Sequence, residues 1–275
     1  MQHKDSIISR LRHVISEITG KSTIYIPPLP SSALAVMFLA VKKQTNKKII
    51  WICDGPQNLY KMYKDISVFS EPKDNSILLF PPAEIFQRQN NTIDNNVTQT
   101  RTKTTSQLIN NPDEPYLILT SIQALMQKIP APSDIKQRTS VVRINEETIP
   151  SALVEFISKT GYKFFNEVES PGTVSLRGGI IDVWSPSEEY PYRIEFDGNT
   201  VSSIRIFDPI TQESIRKIET AIILPFECNI NTASENTTFH EYLGNSHIVI
   251  AWHSFENIEK HASIFKQTIE EYGQE

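Results

Sequence analysis

Two arginines are the side chains best suited to recognition: Arg177 in Leu176-Arg177-Gly178-Gly179 and Arg193 in Tyr192-Arg193-Ile194-Glu195. A guanidinium presents a planar fork of donors that pairs bidentately with carboxylates, and arginines of this kind carry much of the binding energy at protein interfaces. Both stand near the ends of strand-like runs, expected to be neighbours, in a segment otherwise rich in acid. An ion pair inside the domain, for instance Arg193 with Asp182 or Glu195, explains them equally well. Trp184, Tyr190 and Phe207 read as core or loop anchors, not as exposed contacts.

Residues for catalysis are harder to find. Where a nucleotide-binding fold places its phosphate loop, the chain reads Ile26-Pro27-Pro28-Leu29-Pro30-Ser31-Ser32. It has neither the glycines that wrap phosphates nor the lysine that reaches them, and its prolines remove amide donors. Ser31 and Ser32 suffice as helix caps. Gly178-Gly179 lies between strands and opens no helix, which suits a tight turn or bulge. His13, His240, His247, His253 and His261 are scattered without metal spacing. Glu188-Glu189 sits in a Pro-flanked loop as solvated charge, and Cys53 and Cys228 are reduced thiols without a ligand pattern. No catalytic residue, metal ligand or cofactor-binding residue is expected in these 275 residues.

The elements that position the arginines follow from periodicity. A helix over residues 6–18 buries Ile7, Leu11, Val14 and Ile18, and a strand Thr23–Ile26 follows. A helix from Ser31 to about Lys43, a strand Lys48–Cys53 and a helix Gln57–Ile66 come next. Strands Ser76–Phe80 and Tyr116–Thr120 flank a polar stretch in which residues 99–109 have room for a crossover helix. Ser121 caps a helix through Leu125. Short apolar strands alternating with helices indicate α/β architecture with a mainly parallel sheet.

A second unit opens with a helix Glu147–Lys159. Runs at 173–176, 180–184, 192–196 and 201–207 form an antiparallel meander, with Asp197-Gly198-Asn199 as a hairpin turn. Alternation puts Tyr192, Ile194 and Phe196 on one face and Arg193 and Glu195 on the other. From Ala221 the tail returns to α/β character and is expected to complete the first domain. The expected division is 1–132, 133–217 and 218–275.

At 39% hydrophobic and 21% charged, the chain reads as globular. Its formal charge of -5 argues against a strong nucleic-acid footprint. Lys42, Lys43, Lys47 and Lys48 form the one dense basic cluster and read as solvated loop charge. The opening Met1-Gln2-His3-Lys4-Asp5 does not resemble a signal peptide, and the apolar run from Ala33 to Val41 is too short to cross a bilayer. A cytoplasmic location is expected.

Leu-Arg-Gly-Gly-Ile-Ile-Asp-Val-Trp at 176–184, Tyr-Pro-Tyr-Arg-Ile-Glu-Phe at 190–196 and Ser-Ile-Arg-Ile-Phe-Asp-Pro-Ile-Thr-Gln at 203–212 resemble the small inserted domain shared by the excision-repair protein UvrB and the bacterial transcription-repair coupling factors. Leu79-Phe80-Pro81-Pro82-Ala83-Glu84 and Pro115-Tyr116-Leu117-Ile118-Leu119-Thr120-Ser121 agree with the coupling factors. The resemblance covers nearly the whole chain as their N-terminal module and weakens after Pro225. It implies a degenerate RecA/helicase-like domain without ATPase motifs, interrupted by a small α+β domain that docks the damage-recognition protein UvrA. The full-length relatives would be ATP-driven, Mg-dependent translocases on double-stranded DNA that displace stalled RNA polymerase and start nucleotide excision repair.

By the family pattern, Arg177 and Arg193 match arginines that contact UvrA. A third contact position, occupied by an aromatic in the family, aligns with Asp197. The alternative is a UvrB-like module acting directly on damaged DNA as a binder or ATPase, or a weak duplex contact through Arg101, Lys103 or the lysines at 42–48. Salt-sensitive DNA binding or ATP hydrolysis by these residues would favour it.

Overall fold

The computed structural model describes residues 29–71, 74–83, 95–226, 236–244, 248–252 and 254–272. The helix over 6–18, the strand Thr23–Ile26, Cys228 and the histidines at 13, 247 and 253 lie outside them. In chain order the first elements are α1 (Ser31–Thr45), β1 (Lys48–Cys53), α2 (Pro56–Phe69), β2 (Ile77–Phe80), α3 (Asn95–Asn110), β3 (Leu117–Ser121) and α4 (Ile122–Met126). Then come β4 (Ile129–Pro130), α5 (Pro132–Gln137), β5 (Ser140–Arg143), α6 (Pro150–Lys159), β6 (Lys163–Phe164), β7 (Thr173–Arg177) and β8 (Ile180–Val183). The chain continues through β9 (Tyr192–Asp197), β10 (Thr200–Phe207), β11 (Ser214–Lys217), β12 (Thr220–Ile223) and β13 (Asn236–Thr237) to β14 (Ile248–Trp252) and α7 (Phe255–Tyr272).

These elements fall into two compact units. The first holds α1, β1, α2, β2, β3, α4, β14 and α7, and the second holds α3 with the elements from β4 to β13.

In the first unit the strands run parallel in the order β14-β1-β3-β2. All five residues of β3 are buried, as near-continuous apolar strands covered on both faces require. Helix α1 packs Met37, Phe38 and Val41, and α2 packs Leu59, Met62 and Ile66, into one core with Trp51 and Leu119. Gly55 and Pro56 start α2 as the sequence suggests, but the helix runs on to Phe69. Val68 and Phe69 face solvent there, so apolar periodicity ends before the helix does. At α1 the expected cap is corrected. Pro30 takes the N-cap position and no side chain caps the helix, because Ser31 is already its first turn. Ser121 does cap α4, its Oγ accepting the Ala124 N–H at 3.3 Å.

The second unit is built on a six-stranded sheet, β11-β10-β9-β8-β7-β6, antiparallel except where β6 joins β7. Its inner face carries Val174, Ile181, Val183, Ile194, Val201 and Ile204, packed against Leu153 and Ile157 of α6. The helix expected from Glu147 begins at Pro150. Residues before it run extended instead, with Asn145 and Thr148 donating to Val201 and Asn199 carbonyls. Proline suits a first helical position and disfavours helical backbone in the residue preceding it. Ala221 and Ile223 belong to β12, which pairs antiparallel with β5 and is buried in this second core. That pairing corrects the expectation that the tail completes the first domain from Ala221 onward. The tail's later strand, β14, is the one that lies beside β1.

Candidate functional site

The outer face of the six-stranded sheet holds both arginines. Ser175, Asp182, Arg193, Arg205 and Lys217 are successive register partners across five strands. Arg177, Ile180, Glu195 and Ser203 form the adjoining row. Alternation gives this face the polar side chains, because the residues between them fill the core. Arg177 and Arg193 do not lie on neighbouring strands, since β8 runs between β7 and β9. One row and two strands apart, their Cα atoms are about 12 Å from each other by ordinary strand spacings.

The two arginines are held very differently. Arg193 donates from Nε and Nη2 to the two carboxylate oxygens of Asp182, each at 2.8 Å. Its Nη2 also reaches Gln212 Oε1 at 2.9 Å, and its guanidinium lies 4.3 Å over the buried Phe207 ring. The side chains of Arg193 and Asp182 are 17% and 3% exposed. The hydrogen bond to the Asp182 carboxylate holds the Arg193 proton more firmly than usual. Of the two partners considered from sequence, Asp182 is the one chosen. Glu195 pairs with Arg205 instead.

Arg177 is 45% exposed. Its Nη2 donates to the Asn166 carbonyl at 2.9 Å and to Glu167 Oε1 at 3.0 Å. Exposed pairs of this kind contribute about 0–1 kcal/mol, so a partner carboxylate can replace Glu167 at little cost. Asp197 ends β9 at the hairpin tip and is exposed. Register pairs it with Thr200, so Gly198 and Asn199 form the two-residue turn, with Gly198 at φ +60°.

Sequence reasoning missed the Arg205–Glu195 pair. Two-residue hairpin counting sets Ser202 opposite Glu195, but a bulge makes Ser203 its partner and brings Arg205 level with Arg193. Ser202 Oγ donates to the Glu195 carbonyl at 3.1 Å. Also missed was the loop after β10. There Asp208 Oδ1 accepts the Ile210 and Thr211 N–H groups at 2.7 and 3.1 Å, which aims Gln212 at Arg193.

Other candidates disperse. Trp184 donates Nε1–H to the Glu188 carbonyl at 3.1 Å, and Tyr190 packs on the core. Glu188 is half-buried and not simply solvated. Burial raises the Tyr192 hydroxyl pKa, and the nearby Glu188 carboxylate adds to the shift. The lysine cluster is not uniform solvated charge either. Lys42 pairs with Asp74 at 3.4 Å, while Lys48 is buried with its amine on the Pro112 carbonyl, and burial lowers its pKa. Among the described residues no group of three or more His, Cys, Asp or Glu side chains could hold a metal. No described helix is long and apolar enough to cross a membrane.

Comparison with known proteins matches residues 141–227 to the UvrB interaction domain family, a span that contains the whole charged sheet. The chain is 28% identical over 197 residues to a transcription-repair-coupling factor of Bacillus subtilis (strain 168), which covers 72% of this chain and 16% of that protein. It is 32% identical over 111 residues to the one from Myxococcus xanthus, covering 40% and 9%. For the Escherichia coli (strain K12) protein the identity is 21% over 197 residues, covering 72% and 17%. The matched region is therefore a minor part of each relative's length. The chain is similar to the transcription-repair coupling factors over most of its length, and its residues 141–227 match the UvrB interaction domain family.

Proposed function

We propose that this chain is the N-terminal adaptor module of a transcription-repair coupling factor, and that the outer face of its six-stranded sheet recruits UvrA. The observation that carries the reading is the coincidence of two independent facts. The UvrB interaction domain spans 141–227, and within it Arg177 stands half-exposed in an ion pair that a partner can exchange. Arg193 offers Nη1, the nitrogen left over after Asp182 and Gln212 are served. Asp197 sits on the same face, where it repels an acidic partner, so the contact rests on the arginines.

The body around this face is read as a degenerate helicase-like module, and the unit that spans Lys128–Tyr242 is read as the UvrA-binding domain. The parallel sheet and the glycine-free stretch at 26–32 support that reading. In the full-length protein, ATP and Mg would drive translocation on double-stranded DNA against stalled RNA polymerase in the cytoplasm, through parts outside this segment. The module needs no cofactor of its own.

Titration of the chain with purified UvrA tests the assignment. Arg177→Glu should weaken binding by roughly 2–5 kcal/mol where the contact is desolvated, with the thermal melt unchanged. Parental affinity in that variant would remove this face as the docking site.

A further inference from the structure

The sheet edge beside Arg177 carries an aromatic that the arginines alone do not explain. Phe165 lies one residue past β6, and its N–H donates to the Val174 carbonyl at 2.9 Å. The Lys163 N–H donates to Gly172 in the same way, so the parallel ladder continues one residue beyond the strand and sets Phe165 opposite Ser175. Ser175 is on the outer face, two residues before Arg177. The Arg177 guanidinium then reaches across to the Asn166 carbonyl, next in sequence to Phe165. Register and this hydrogen bond thus put Phe165 and Arg177 on the same face, at the β6 edge of the charged sheet.

Phe165 is 55% exposed. A lone exposed apolar side chain needs no explanation. One placed beside an exposed arginine on a polar sheet face is the composition of an interface centre, where aromatics and arginine are enriched and lysine and acids depleted. Phe164 and Leu176 are also exposed, but register with Val174 and Ile181 turns them to the other side of the sheet, which leaves Phe165 as the ring beside Arg177.

We infer that Phe165 is an anchor and specificity-determining contact of the docking face, inserting into an apolar recess on UvrA that lies beside the carboxylate engaged by Arg177. This rests on the reading of the outer face as the UvrA-binding surface. The ring supplies affinity that does not depend on salt, whereas Arg177 supplies attraction that salt screens.

The test is a titration of the 275-residue chain with purified UvrA at low and high salt, for the parent, Phe165→Ser, Phe165→Tyr and Arg177→Glu. Phe165→Ser should raise Kd by about 10- to 30-fold with the parental salt dependence. Phe165→Tyr should stay within about threefold of the parent, because the ring is kept. Arg177→Glu should weaken binding and flatten its salt dependence. If the serine variant melts early, Phe165→Leu replaces it, with the same direction expected. Parental Kd in Phe165→Ser together with a weakened Arg177→Glu overturns this inference and leaves the docking face in place. No binding by the parent, or parental binding by Arg177→Glu, overturns both.

Discussion

Arg177 and Arg193 share a face and a residue type, yet they answer to different physics. Removing Arg193 strands Asp182, a carboxylate whose side chain is 3% exposed and whose ion pair is with Arg193. Breaking a buried pair from one side costs about 3–5 kcal/mol. Arg193→Leu should therefore lower unfolding stability by that order in urea titration, while Arg177→Glu stays within about 0.5 kcal/mol. The double variant Asp182→Leu/Arg193→Leu should recover much of the loss. Recovery would show that the stranded charge, not the lost pair, dominates. A binding defect in an Arg193 variant has to be read beside its melt; one at Arg177 does not. Gly172 offers a second test at this scale. It sits at φ +82°, and an added Cβ would meet Phe226 ring carbons at 2.4 Å. Gly172→Ala should cost about 2–4 kcal/mol, combining left-handed backbone strain with overpacking of the second core.

Among the elements, the β9–β10 hairpin sets the geometry of the face. Gly198 has φ +60° and nothing within 4 Å of a Cβ, so Gly198→Ala should cost about 1–2 kcal/mol through backbone strain alone. Gly198→Asn, which tolerates that conformation better, should cost less. Equal melts for the two variants would contradict this account. The turn was legible from Asp197-Gly198-Asn199, and β1 was legible to the residue because six largely apolar positions are bounded by lysine and an Asp-Gly pair. The Ser202 bulge was missed although it leaves a mark, since the inward Val201 and Ile204 are three residues apart where alternation requires an even spacing, and with it went the Arg205–Glu195 pair. Nor were β5 and β12 assignable to one another, because pairing between Ser140–Arg143 and Thr220–Ile223 depends on contacts far apart in sequence. The arginines stood out by type and spacing; which carboxylate each would take needed the register.

At the scale of the whole molecule, alkaline pH should expose the buried groups. Burial pushes the Cys53 thiol up to about 12, against roughly 8.5 for an ordinary cysteine. Between these values the unfolded chain loses a proton that the folded chain keeps, so stability is full below the lower value and falls as pH rises. The slope from one such group is at most about 1.4 kcal/mol per pH unit. Cys53→Ala should show a shallower loss of melting temperature than the parent from pH 9 to 11, and parallel curves would contradict the assignment.

The register of β14 on β1 has a consequence for how the chain acquires its structure. Lys48 aligns with Ile248, so the parallel sheet must close a loop of roughly two hundred residues, and the entropy of that closure grows only with the logarithm of loop length. Formation of the docking unit between them shortens the effective loop. On a ribosome that unit emerges before β14 exists, so its strands can pair while β1 still lacks this neighbour. Folding should then end with a separate late phase in stopped-flow refolding, in which β14 joins β1 after the antiparallel sheet has paired.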